Sequence, residues 1–164
     1  TLHLLLRAPS RASLAEDADA WRAIREHAAD SRLRVDVVPF PTDDDVHVAV
    51  AGSDCLLLPY RWASHSGQLE HAVDLGVLTV TARVGFLPDQ VALHEGLGGE
   101  PVWFDWSDGA AFEYGARLLE AMQTAHTAIQ DDWRAPDHAK LGEHRSREHA
   151  EILAAHRAFY QGRQ

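Results

Sequence analysis

The sequence predicts an α/β fold with a Rossmann-like, mainly parallel sheet flanked by helices. Three observations carry that expectation. Short apolar or β-branched runs alternate with segments of helical period. One of them, "DCLLLP", is apolar throughout, as in parallel strands buried on both faces. Helix start and stop residues fall between the runs.

The elements follow in order. Leu2 to Leu6 reads as a buried strand, and the polar "RAPSR" after it as a loop. Leu14 to Ala29 carries Trp21, Ile24 and Ala28 at helical spacing. "RLRVDVVPF" alternates Leu33, Val35 and Val37 and stops at Pro39, a strand pattern. "PTDDDVHVAVAG" opens with Thr42 and three acidic residues, favourable at a helix N-terminus, and closes at Gly52. "DCLLLPY" is the next strand, bounded by Asp54 and Pro59. Ser66 to Leu75 is a helix with Leu69, Ala72 and Val73 on one face and Gly76 just past its end. "VLTVTA" and "PVWFDW" are the last two strands.

Asp108 to Ile129 forms a helix with Phe112, Ala116, Leu119, Met122 and Ile129 as its stripe. A final helix from about Asp137 to Gln161 places Ile152, His156 and Phe159 inward. The polar "QDDWRAPDHAK" is the candidate linker. Domain organisation is therefore expected as a Rossmann-like domain over residues 1–131. Residues 132–164 form a linker and a helix packed on that domain or on an absent N-terminal one.

Composition narrows the function. The chain's 164 residues suffice for one domain with a real core. A net charge of −10 argues against a broad nucleic-acid or anionic-membrane footprint. The single cysteine, Cys55, rules out an intrachain disulfide framework. No apolar run approaches the ~20 residues of a membrane-spanning helix. Thr1 stands first and Met122 is the only methionine, so the chain is expected to be a piece of something longer.

The chemistry concentrates at Tyr60 to Gln68. In open α/β sheets, ligands sit beyond the carboxyl ends of the strands, where this segment falls. A helix N-terminus offers unpaired N–H groups and partial positive charge, which suit phosphate. Gly67 permits close backbone approach. Ser66 can cap the helix or donate to an oxygen, and Glu70, one turn inside, can accept two hydroxyls, as from a ribose. The same residues also read as a plain helix start: an N-cap, a tolerated glycine and an acid near the positive end of the dipole.

The stretch "DCLLLPYRWASHSGQLEHAVDLGVLTVTARVGFLPDQ", from Asp54 to Gln90, resembles the donor-binding segment of the retaining GT-B glycosyltransferases of family four, the glycosyl transferases group one. The resemblance lies in Pro59, Tyr60 and Arg61, in His65, Ser66 and Gly67, in Leu69 and Glu70, in Asp74, Leu75 and Gly76, and in the later Gly85 and Gln90. It implies a nucleotide-sugar donor with its ribose on Glu70 and its diphosphate on the backbone of Ser66, Gly67 and Gln68. Arg7 and Arg11, in the loop after the first strand, are further phosphate candidates. The family carries a first Glu where this chain has Trp62, so the sugar-side contacts would fall to His65 or Arg61.

A GT-B enzyme has two such domains, and this chain is the size of the C-terminal, donor-binding one. Acceptor contacts would then belong to an N-terminal Rossmann-like domain of the same polypeptide. The implied reaction is sugar transfer with retention, with helix N–H groups and arginines stabilising the leaving diphosphate and no obligatory metal or other cofactor. No general base is visible, and the isolated domain is expected to be inactive. Donor supply implies a cytoplasmic location, with the inner face of the membrane as one place of work. The alternative is a Rossmann-like ligand-binding or protein-interaction module without transfer.

Other chemistries fit less well. His138, His144, His149 and His156 lack the i, i+4 spacing of a helical zinc pair, and His94–Glu95 stands alone. Ser66 beside His65 lacks the flanking glycines of a nucleophile elbow. No G-x-G-x-x-G follows the first strand and no Walker loop is present. "TDDD" reads as a helix start rather than an acidic metal pocket, since Lys140, the only lysine, is misplaced for a receiver domain. Trp103, Trp106, Trp133 and Tyr160 read as core residues or as a docking surface.

Overall fold

A computed structural model describes residues 1–92, 96–105, 111–131 and 133–161. The chain is α/β, with parallel strands in two small sheets and helices between and after them. It divides into two compact units, Thr1–Gly52 and Ser53–Gln164, and the final helix groups with the second.

The first unit runs β1 (Leu2–Arg7), α1 (Arg11–Glu16), α2 (Ala18–His27), β2 (Leu33–Val38) and α3 (Asp43–Ala51). β1 and β2 pair in parallel from Leu2↔Leu33 to Arg7↔Val38. One helix was expected over Leu14–Ala29; the structure has two. Ser10 caps the first, its hydroxyl accepting from the Ser13 N–H at 3.1 Å. Asp17 then leaves the helical region at φ −107°, ψ 28° and breaks the run, a position where a short acid competes with regular backbone bonding. α3 starts as its sequence dictates. Thr42 and Asp45 form a reciprocal capping box, and Gly52 ends the helix.

The second unit runs β3 (Cys55–Leu58), α4 (Gly67–Leu75), β4 (Leu78–Ala82), α5 (Leu87–Ala92), β5 (Val102–Phe104), α6 (Ala111–Asp131) and α7 (His138–Gln161). Strand order is β3-β4-β5, all parallel. Central β4 is buried along its whole length. Leu78, Val80 and Ala82 pack with Phe104, Ala121 and Ala125. A second cluster joins Leu58, Ala63, Leu69 and Leu87 beneath the loop that follows β3. α4 ends in a Schellman turn: Gly76 at φ 66° donates to the Val73 carbonyl, and Val77 to Ala72.

Two expected stripes are displaced. On α6 the face toward the sheet carries Tyr114, Leu118, Ala121 and Ala125, while Ala116, Leu119 and Ile129 are exposed and Met122 is half-buried. Small alanines let the helix approach the sheet closely, so the seam follows them and not the larger Leu119. The Phe112 side chain lies outside the described residues. On α7, Ile152 and Phe159 are 54% exposed and His156 is also exposed, so none of the three points inward. That helix is seated by Leu141 near its start. Past Glu148 every described residue faces solvent.

The "QDDWRAPDHAK" stretch is stitched to the turn before β5. The Trp133 indole N–H donates to the Glu100 carbonyl at 3.1 Å, Gly99 N–H to Arg134, and Asp137 N–H to Leu97. Gly98 and Gly99, both at positive φ, lie against Ala135 and Pro136. Of the tryptophans read as core or docking residues, Trp103 and Trp133 are half-buried, and Trp106 lies outside the described residues. Tyr160 is 69% exposed.

Candidate functional site

The site grows from the loop between β3 and α4. Ser66 is its pivot, 3% exposed. Its hydroxyl accepts the Leu69 N–H at 3.1 Å, the expected N-cap, and shares a hydrogen bond with the Tyr60 hydroxyl at 3.1 Å. Its backbone is held by a side chain 24 positions away. Gln90 Oε1 accepts from the Ser66 N–H at 2.9 Å, and Gln90 Nε2 donates to the Ser66 carbonyl at 3.1 Å. The Gln90 amide thus bonds to Ser66 on both sides, as a neighbouring strand would. Gln90 is 6% exposed, and each of these bonds satisfies a polar group that would otherwise be buried without a partner.

Gly85 supports the same loop from below. Its φ is +54°, and a Cβ there would stand 1.7 Å from the Ala63 carbonyl oxygen. Only glycine permits that approach. Gly85 and Gln90 belong to the resemblance noted above; the structure adds what each holds. Next to them, the His65 ring stacks on Phe86, centroids 6.3 Å apart and planes 12° from parallel.

Three backbone groups were expected to face a diphosphate. The Ser66 N–H is already taken by Gln90. Gly67 and Gln68 are exposed, and among the described residues no acceptor is seen for either N–H. Gly67 has open space around it: a Cβ there would meet nothing within 4 Å. The first turn of this nine-residue helix therefore presents two donors and the positive end of its dipole to solvent.

Glu70 sits one turn further and is engaged. Its Oε1 accepts from Gln90 Nε2 at 2.9 Å, and its Oε2 from Arg145 Nη2 on α7. Arg145 Nη1 also reaches Asp74, one turn along α4. Glu70 lines a cleft of about 260 Å³ whose walls include Leu69, Val73, Val91 and Trp103, with Arg83 and Glu100 also on its lining. The Arg83 guanidinium lies 4.9 Å from the centre of the Trp103 ring.

The remaining expected site residues have other surroundings. Arg61 lies over the Tyr114 ring at 5.6 Å. Trp62, where the resembled family has its first Glu, is 77% exposed. Arg7, over the Phe40 ring at 4.8 Å, and Arg11, the first residue of α1, belong to the first unit, whereas Ser66 and Glu70 belong to the second.

Arg145 is the residue that sequence reasoning missed. It lies in a helix rich in His and Glu and 75 positions from Glu70, with no local signal to mark it. The walls of the cleft were missed too, because they come from α4, α5 and β5 together.

Other chemistries find little here. Burial pushes the Cys55 thiol up to about 11, so it stays protonated and unreactive at neutral pH. Among the described residues no three His, Cys, Asp or Glu side chains gather as metal ligands. His144 pairs with Glu148 at 3.7 Å, and His94 and Glu95 lie outside the described residues. Among the described residues no helix is long and apolar enough to cross a membrane.

No protein-family model matches the chain, and no curated protein matches it.

Proposed function

We propose that the second unit binds the nucleoside diphosphate of a nucleotide-sugar donor and is the donor-side part of a retaining glycosyltransferase. The observation that carries this reading is the open first turn of α4. Gly67 and Gln68 present their N–H groups to solvent at a helix N-terminus, on a loop that Gln90 and Gly85 hold rigid. The "PYR…HSG…LE" resemblance lies over that turn. The diphosphate would take these two N–H groups, the ribose would meet Glu70, and a base would enter the cleft beside it. His65, Arg61 and Trp62 would flank the sugar. A second Rossmann-like domain of the same polypeptide would supply the acceptor. Work at the cytoplasmic side follows from where such donors are made.

One observation favours the second reading, a Rossmann-like module without transfer. Trp62 stands where the resembled family has an acid.

An NMR titration with UDP, GDP, ADP and TDP, against inorganic phosphate, separates the two. The donor reading expects saturable shifts at Gly67, Gln68 and Glu70 with one nucleotide. A response to phosphate alone, or to nothing, rejects it. Gly67→Leu sharpens the test. The open space accepts the side chain at little cost to stability, while the close approach of a phosphate is blocked. Glu70→Gln should weaken nucleotide binding by about 1.5–3 kcal/mol, the range for a hydrogen bond to a charged group.

A further inference from the structure

The donor reading assigns a role to Glu70 but none to the arginine that grips it. We infer that Arg145 is the positioning residue of the Glu70 carboxylate: it orients that acid at the cleft so that it accepts the hydroxyls of a ribose. This inference rests on the reading above.

Four observations bear on it. Arg145 is one-third exposed at its side chain and Glu70 slightly less, so the pair is shielded enough to hold one geometry. The guanidinium is not shared with solvent at random: one nitrogen meets Glu70 and the other Asp74, a turn apart on the same helix. A planar fork seated on two carboxylates fixes its own plane and hence the direction from which it donates. The other Glu70 oxygen is fixed by Gln90, itself 6% exposed and tied to both backbone groups of Ser66. The carboxylate is thus gripped at both oxygens by two elements, α5 and α7, and cannot turn about its terminal bond without breaking a charge-assisted contact. An acid on the first turn of a helix whose only task is to offset the dipole needs no such hold; an acid that must present itself to a ligand in one orientation does.

Arg145 also stands at a particular place along α7. Leu141 before it is buried, and beyond Glu148 the helix is exposed. The Arg145 fork is the last charged tie described between α7 and α4, so the seating of α7 sets the orientation of Glu70.

The experiment compares ribose with its absence. Calorimetry on the protein and on Arg145→Ala and Arg145→Lys would use UDP, GDP and ADP, each beside its 2′,3′-dideoxy analogue. The unaltered protein should prefer the ribose form of its nucleotide by about tenfold or more, the lower end for hydrogen bonds to a charged group. Arg145→Ala should bring that ratio close to one while leaving the Kd for the dideoxy analogue unchanged. Arg145→Lys, which keeps the charge without the fork, should restore only part of the ratio. Equal weakening toward both forms in Arg145→Ala would show a merely structural tie and overturn the inference. So would a preserved ratio. An unaltered protein that binds a nucleotide with no ribose preference removes the Glu70 assignment, and one that binds no nucleotide removes the donor reading itself.

Discussion

The two units are built from the same alternation of strand and helix, but β1 and β2 carry His3, Arg7, Arg34 and Asp36, while β3, β4 and β5 carry no charged residue. Leu4 to Leu6 in β1 matches Leu56 to Leu58 in β3 residue for residue. Yet within Thr1–Gly52 only Val50, at 5% exposure, is buried, and β1 is half-buried at best. In Ser53–Gln164, β4 is buried from end to end, with Leu78 and Val80 at 0%. The difference lies in position as well as composition, since Leu56 and Leu57 on edge strand β3 are also only half-buried. β4 has a strand paired on each edge and helices packed against it, whereas β1 and β2 form a two-stranded sheet. A two-stranded sheet has no interior strand, and such pairs are marginal alone. Burial is a property of place in the sheet, and an apolar run is only eligible for it.

The sharpest way to break this comparison is to cut equal side chains from both units. Leu78→Ala should cost about 2–5 kcal/mol, the range for a fully buried leucine. Leu5→Ala on half-buried β1 should cost about 1 kcal/mol or less. Urea unfolding of both variants gives the answer, and equal losses would end the contrast. Amide hydrogen exchange on the unaltered chain should show the same order, with β4 protected longer than β1.

Next in size is Gly85→Ala. The added methyl meets the Ala63 carbonyl, and φ +54° is strained for alanine. A cost of about 2–4 kcal/mol follows from backbone strain and overpacking together. Chemical shifts of Ala63 to Ser66 should move first. Unchanged shifts there would show that the loop is not held from below.

Thr42→Ala, in the first unit, should cost about 1 kcal/mol by removing one arm of its capping box. Its effect should stay within α3, read from the amide shifts of Asp43 to Val46.

The smallest effect is acidic. Asp45 is held below the usual carboxylate range by the Thr42 backbone N–H and then its hydroxyl. Asp36 is held low by Arg34 and then His3, and Asp30 by Arg32. A carboxylate whose pKa is lower in the folded state stabilises the fold above its unfolded value, near 3.9, and loses that contribution as pH falls through the folded value. These three lie in the first unit, and among the described residues Asp137 alone of the shifted acids lies in the second. Acidification below about pH 4 should therefore loosen the first unit before the second. Proton NMR during an acid titration reads the order.

Legibility in the sequence followed the range of the interaction. The Ser66 cap, the Gly76 stop and the Thr42 start were readable because each is settled within a few residues. The parallel α/β class was readable from apolar runs and their spacing. The break at Asp17 was not, since Trp21 and Ile24 hide it behind a continuous helical pattern. The α6 seam was misplaced because large side chains advertise themselves more than Ala121 and Ala125. On α7, the pattern of Ile152, His156 and Phe159 says which face is apolar, but not where the body beneath it ends. At the site, Ser66, Gly67 and Glu70 could be proposed in advance, while the partners that make Glu70 rigid came from 20 and 75 positions away.

The Gln90–Ser66 clasp also sets an order of events. Ser66 can cap α4 as soon as Leu69 is in place, but its backbone waits for a residue 24 positions later, beyond β4 and within α5. Closing such a loop has an entropic cost that local capping does not, and contacts of long sequence separation form late. As the chain grows, the residues of the cap are all present before the residue that closes the clasp. A nascent or nicked chain that ends short of Gln90 would carry the whole "SHSGQLE" signature and still hold it on a loose hinge.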